Sequence, residues 1–169
     1  MSAKDKKSAI KNTFSYTFEY GEFPLHTDTS FLQLPAKYVI LSSFKSIDTS
    51  TTIININDFL RDATNEELAL IKNSVYLVRT GALTFYTSLM CKANDKFIFR
   101  YDPQCMKPMN KAAMEAEELI TKFSKVANKT KISWDNPKVL IIDNWQTLHG
   151  REALKENKSR TLKRIYIKN

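Results

Sequence analysis

Glycine is scarce in this chain. Three occur among 169 residues, at Gly21, Gly81 and Gly150, where average usage of roughly 7% gives about twelve. Neither G-x-G-x-x-G nor G-x-x-x-x-G-K-[ST] can be written from them, which excludes dinucleotide-binding and P-loop motifs. Histidine is scarcer still, with only His26 and His149. The two cysteines, Cys91 and Cys105, form no C-x-x-C. A cysteine-based zinc site is therefore excluded as a motif, and both read as free thiols in a reducing compartment. Long apolar runs are missing too: Val139-Leu140-Ile141-Ile142 is far too short to cross a bilayer. The Lys-rich first twelve residues lead into no apolar h-region, so no secretory signal is expected. The length suits one domain with a sizeable core. The expectation is a cytoplasmic protein with a polar, mobile tail at 1–12 and a single compact domain at 13–169.

Charge is present in excess. Lys plus Arg is 26 against 18 for Asp plus Glu, a net +8. Twenty of those cations are lysines scattered along the chain. A nucleic-acid surface favours clustered arginines with interleaved aromatics. The scattered pattern reads instead as a solvated surface, and nucleic acid and membrane are not expected as partners.

Residues 13–20 alternate aromatic and polar (Phe14, Tyr16, Phe18, Tyr20), which predicts a strand. Strands are also predicted at 23–28, 38–44, 75–78, 83–89, 96–101, 138–142 and 161–167. Residues 58–73 read as one helix, with a start signal at Thr64 or Asn65 followed by Glu66 and Glu67. The clearest helix is 110–128, where Ala113, Ala116, Leu119, Ile120, Phe123 and Val126 recur at helical spacing for core packing. Many short strands with flanking helices predict a mainly β, jelly-roll-like barrel.

The chemistry concentrates at His26-Thr27-Asp28. On a strand, residues i and i+2 share a face, so an imidazole and a carboxylate would converge as metal ligands. The third ligand has one histidine source, His149. Two histidines and one carboxylate make the facial triad of non-haem Fe(II) oxygenases, with positions open for cosubstrate and O2. Arg160 and Arg164 follow His149 by 11 and 15 positions (160 − 149 and 164 − 149). Their planar guanidinium groups suit a bidentate grip on a carboxylate.

Phe23-Pro24-Leu25-His26-Thr27-Asp28-Thr29-Ser30-Phe31, then Pro35 and Tyr38-Val39-Ile40-Leu41, resembles the N-proximal block of the taurine dioxygenase-like Fe(II)/2-oxoglutarate oxygenases, which include clavaminate synthase-like enzymes. Asp143-Asn144-Trp145 through Leu148-His149-Gly150-Arg151, with Arg160 and Arg164, resembles their C-proximal block. The resemblance implies a double-stranded β-helix (jelly-roll, cupin-like) core with flanking helices. It implies Fe(II) held by His26, Asp28 and His149, with 2-oxoglutarate held by Arg160 and O2 as oxidant. It also implies a threonine contact to 2-oxoglutarate, for which Thr51 and Thr52 both fall in the family's window. Arg164 matches a family arginine that faces substrate. Arg100, Asn144 and Trp145 are weaker substrate-side candidates, with structural pairing, turn and core roles as their alternatives. Arg151 reads as an ion pair near the metal. A carboxylate at position 28, where related halogenases carry a small residue, points away from halogenation.

The implied activity is a dioxygenase that hydroxylates a small polar metabolite, such as an amino acid or derivative, and decarboxylates 2-oxoglutarate to succinate. Family members commonly carry a longer segment before the first ligand than the 25 residues seen here. That leaves a pocket that is open, adapted to a bulky substrate, or completed by a second copy or partner subunit. Two other readings stand beside this one: a basic, non-enzymatic nucleic-acid-binding module, and a β-barrel subunit with a vestigial site.

Overall fold

The computed structural model describes residues 14–81, 83–93, 96–154 and 161–168. Two sheets form its centre. The first has four strands in the order β1 (Phe23–His26), β11 (Thr147–Arg151), β3 (Ile47–Asn55) and β9 (Thr130–Trp134). The second has three, in the order β10 (Lys138–Asp143), β2 (Tyr38–Ser43) and β12 (Lys163–Ile167). All these pairings are antiparallel. Strand β2 alternates half-buried and buried residues, as period-two side chains do when one face is covered. Val39, Leu41, Ile142, Ile47 and Trp134 come from both sheets and meet as one buried cluster, so it fills the space between them. This is the cupin-like, jelly-roll β-sandwich that the sequence predicts.

A larger apolar cluster lies on the other face of the four-stranded sheet. There Leu148 packs with α2 (Ile56–Asp62), α3 (Asn65–Asn73) and α4 (Lys111–Val126). The same cluster takes in Tyr76 and Val78 of β4 (Tyr76–Arg79), Met106 of β8 (Met106–Pro108) and Phe99 of β7 (Lys96–Phe99). Two further strands, β5 (Thr84–Thr87) and β6 (Met90–Ala93), pair with β4 and β7 respectively. The predicted helix at 110–128 is α4, capped by the Asn110 side chain, which accepts from Ala113 N–H.

Three expectations are corrected. The aromatic alternation at 13–20 is not a strand: Phe14–Phe18 is a one-turn helix, α1. Its close is a tight turn in which Gly21 N–H donates to Phe18 O. Such a short segment takes its conformation from tertiary contacts rather than from its pattern. Residues 58–73 form two helices, because Ala63 is extended and Thr64 starts a new one through a reciprocal capping box with Glu67. Strands β3, β6, β8, β9 and β11 were not among those predicted. The expected tail at 1–12 lies outside the described residues. Among the described residues no helix is long and apolar enough to cross a membrane.

Candidate metal centre

His26 and His149 face each other across the β1–β11 ladder, with ring centroids 4.7 Å apart. A register shift makes this meeting work. Phe23 pairs with Arg151 and His26 with His149, so three steps along β1 match two along β11. The extra residue is a bulge at Pro24-Leu25, opposite Gly150, and it puts His26 on the same face as Phe23. A Cβ on Gly150 would lie 2.7 Å from Phe23 O, so the close approach of β1 requires glycine there. His26 Nδ1–H donates to Pro24 O at 2.8 Å. That bond fixes the tautomer and leaves the Nε2 lone pair facing Asp28 at 3.8 Å.

Asp28 reaches the site differently from the expectation. It lies in a turn after β1, so the two-residue strand period does not align it with His26. A network of directed bonds does so instead. Asn144 Oδ1 accepts from Asp28 N–H at 2.7 Å, and its Nδ2 donates to Asp28 O and Ala36 O, both at 2.9 Å. Thr27 exchanges backbone and hydroxyl bonds with Tyr101. Thr29 sits at φ 57°, a left-handed conformation that costs a β-branched residue free energy, and its hydroxyl accepts from Ala36 N–H at 2.8 Å. Arg100, fully buried, donates to the carbonyls of Ser30 and Gln33 and so holds the far side of the same loop.

The three donor atoms of His26, Asp28 and His149 lie within 4.8 Å of one another, and all three residues are buried. His149 Nε2 is 3.3 Å from Asp28 Oδ2. From the opposite sheet, Arg164 donates to Asp28 Oδ1 at 2.6 Å and to the Tyr166 hydroxyl at 2.9 Å. Burial, followed by the like charge of His149, pushes His26 down to about 3, so its ring is neutral at pH 7. Burial alone would raise the Asp28 carboxyl. The Arg164 guanidinium and the His149 ring outweigh it and hold the group well below the usual carboxylate range. Two imidazoles and an ionised carboxylate are a donor set suited to a divalent transition metal. His149 Nδ1 and Arg164 Nε are buried and bonded to nothing among the described residues.

The remaining candidates separate by face. Thr51 pairs with Arg151, two positions from His149 on β11, and so lies on the triad's face, where its hydroxyl accepts from Trp134 Nε1 at 2.9 Å. Thr52 pairs with Gly150 and lies on the opposite face. Trp145 is buried and donates through Nε1 to Pro35 O, tying the turn to the loop. Among the described residues Arg151 makes no ion pair of the expected kind. Its guanidinium donates to the carbonyls of Glu19 and Gly21 and stacks 3.8 Å from the centroid of the Phe23 ring, pinning the segment before β1. Arg160 lies outside the described residues. Tyr166 was not among the sequence candidates. The available signal was its place two residues after Arg164 on a strand, which puts both on one face.

A jelly roll thus encloses a buried pair of histidines and one aspartate that could hold a metal ion. The sequence model of the taurine catabolism dioxygenase TauD, TfdA family matches residues 54–166, and the chain belongs to that family. The match contains His149 and Arg164 and begins after His26 and Asp28. No curated protein sequence matches the chain. Among solved structures, an asparagine oxygenase in complex with Fe(II), 2S,3S-3-hydroxyasparagine and succinate is similar, with TM-score 0.73 and 14% identity. The alignment covers 90% of this chain and 51% of that one. The non-heme iron oxygenase OrfP in complex with Fe and alpha-ketoglutaric acid aligns with TM-score 0.70 and 18% identity, over 99% of this chain and 56% of that one. PvcB from Pseudomonas aeruginosa aligns with TM-score 0.68 and 20% identity, over 98% and 60%. The chain thus spans roughly half the length of these structures.

Proposed function

We propose that the chain is an Fe(II)- and 2-oxoglutarate-dependent dioxygenase of a small polar metabolite, an amino acid or a derivative of one. Its iron ligands in this reading are His26, Asp28 and His149. The observation that carries it is the convergence of two imidazoles and one carboxylate within 4.8 Å in a buried site. When bound there, iron with 2-oxoglutarate and O2 supplies the power to oxidise a C–H bond, the cosubstrate leaving as succinate and CO2.

The chain's own residues do the rest. His26 offers a lone pair without first losing a proton, because burial keeps its ring neutral. Asp28 offers a full negative charge, held in place through Asn144. Arg164 carries a buried Nε–H with no partner among the described residues, and so has donor capacity left for a carboxylate. In this reading Arg160 anchors the far carboxylate of 2-oxoglutarate and Arg164 meets the substrate. Of the two threonines, Thr51 is the one on the site's face. Neighbours crystallised with 3-hydroxyasparagine and with (3S)-hydroxy-L-Arg support an amino-acid substrate class. The free cysteines, Cys91 and Cys105, fit a reducing cytoplasm. Family membership favours this reading over a basic binding module or a vestigial barrel.

Anaerobic titration with Fe(II) and 2-oxoglutarate tests it. A metal-to-ligand charge-transfer band is expected, weakened by His149→Ala and by Asp28→Ala. No band in folded wild-type protein would overturn the reading. Arg160→Ala is expected to raise the 2-oxoglutarate requirement, and succinate release across an amino-acid panel would identify the substrate.

A further inference from the structure

A second concave site lies on the outside of the sandwich. The geometry points to a binding site there for a small organic anion, a carboxylate or phosphate joined to a flat apolar body. The cleft has a volume of about 600 Å³ and lies between α2, α3, β7 and the turn at 143–146. That volume falls within the range of about 300–1,000 Å³ of small-molecule sites. None of His26, Asp28, His149 or Arg164 lines it.

Three cations converge on it: Lys37 from the start of the β2 segment, Lys72 from α3 and Lys96 from β7. Among the described residues none of the three is paired with a carboxylate. The acidic lining residue is Asp143, and its Oδ1 already accepts from Trp145 N–H at 3.0 Å. Three ammonium groups against one carboxylate leave the concavity net positive, and such an excess focuses a field that an anion relieves. The apolar body has its own walls. Lys37 Nζ lies 4.9 Å from the Tyr38 ring centroid and 5.8 Å from that of Trp145, so charge and aromatic faces are presented together. Phe97 adds an exposed ring, and Leu60 and Met90 add aliphatic surface.

The site is preformed. Trp145 is bonded to Pro35 O through its indole, and its carbonyl accepts from Phe99 N–H at 3.0 Å. Gln146 donates to Phe97 O and accepts from Ile56 N–H. A wall fixed from three elements needs little ordering when a ligand arrives.

The test is equilibrium dialysis of the full chain, with metal chelated, against four probes: 1-naphthoate, 1-naphthyl phosphate, neutral 1-naphthylmethanol and inorganic phosphate. Saturable binding of the two aromatic anions at one per chain is expected. The alcohol and inorganic phosphate are expected to bind at least tenfold more weakly. The tighter of the two aromatic anions then names the headgroup. The double variant Lys72→Gln/Lys96→Gln alters two exposed side chains and is expected to weaken the anions tenfold or more. His149→Ala is expected to leave them unchanged, which separates this cleft from the metal centre. Failure to bind either anion, equal binding of the alcohol, indifference to the lysine variant, or loss in His149→Ala would each overturn the proposal.

Discussion

The two faces of the four-stranded sheet are built by opposite means. On one, Leu148 joins a broad apolar cluster with α2, α3 and α4, held chiefly by non-directional packing, with the Tyr76 hydroxyl donating to Ala113 O within it. On the other, His26, Thr51, His149 and Arg151 are buried polar groups, each held by one or two named bonds. Neighbours in sequence therefore answer to different physics. The apolar face tolerates rearrangement of equal volume, whereas the polar face depends on bonds that nothing else replaces.

Replacing adjacent residues on β11 should break the comparison most visibly. His149→Ala is expected to lower Fe(II) or Co(II) affinity more than 100-fold while the fold persists. Leu148→Ala is expected to lose about 2–5 kcal/mol of stability through cavity formation, with metal affinity per folded molecule unchanged. Metal titration and urea unfolding of both variants measure this. If both variants shifted the same quantity, the two faces would not be independent.

Acid sharpens the contrast next. An unfolded chain protonates His26 near its ordinary value of 6.5, and the folded chain only near 3. Between those values the unfolded state binds more protons, so stability falls as pH drops through that window. Asp28, depressed in the fold, adds a loss in the same direction below its ordinary 3.8. Metal-free protein should lose on the order of a few kcal/mol between pH 7 and pH 3.5. His26→Asn should flatten that slope. A level wild-type profile in urea midpoints would show that the ring is not held neutral.

Smaller effects follow. Asn144→Ala removes the bonds that place Asp28 and should weaken metal binding about 10–100-fold, a loss read by the same titration. At the small end, Thr64→Ala removes a helix cap and should cost about 1 kcal/mol, seen as a shifted urea midpoint with unaltered metal affinity.

What could be read from the chain divides along the same line. The convergence of His26, Asp28 and His149 was legible because two histidines leave few choices. The core stripe of α4 was legible as far as Phe123 because the helix sustains its period, whereas Val126, expected in that stripe, is exposed in the last turn. The route by which Asp28 reaches the site was not legible. It depends on Asn144, 116 positions away, and on a left-handed Thr29, neither of which follows a period. Strand β3 was missed because its Asp-Thr-Ser-Thr-Thr run reads as a polar loop, and it is buried only once β11 and β9 flank it. The Thr51–Thr52 ambiguity needed the pairing with β11, because two adjacent hydroxyls differ only in which side of a sheet they occupy.

The irregularity at Pro24-Leu25 acts as a phase shifter. An unbroken ladder continued from the Phe23–Arg151 pair would set His26 opposite Leu148, on the helix side of the sheet, and leave the motif intact in sequence but turned away from His149 in space. Any redesign of this scaffold that keeps Phe23 against Arg151 must therefore carry the offset along with His26, Asp28 and His149.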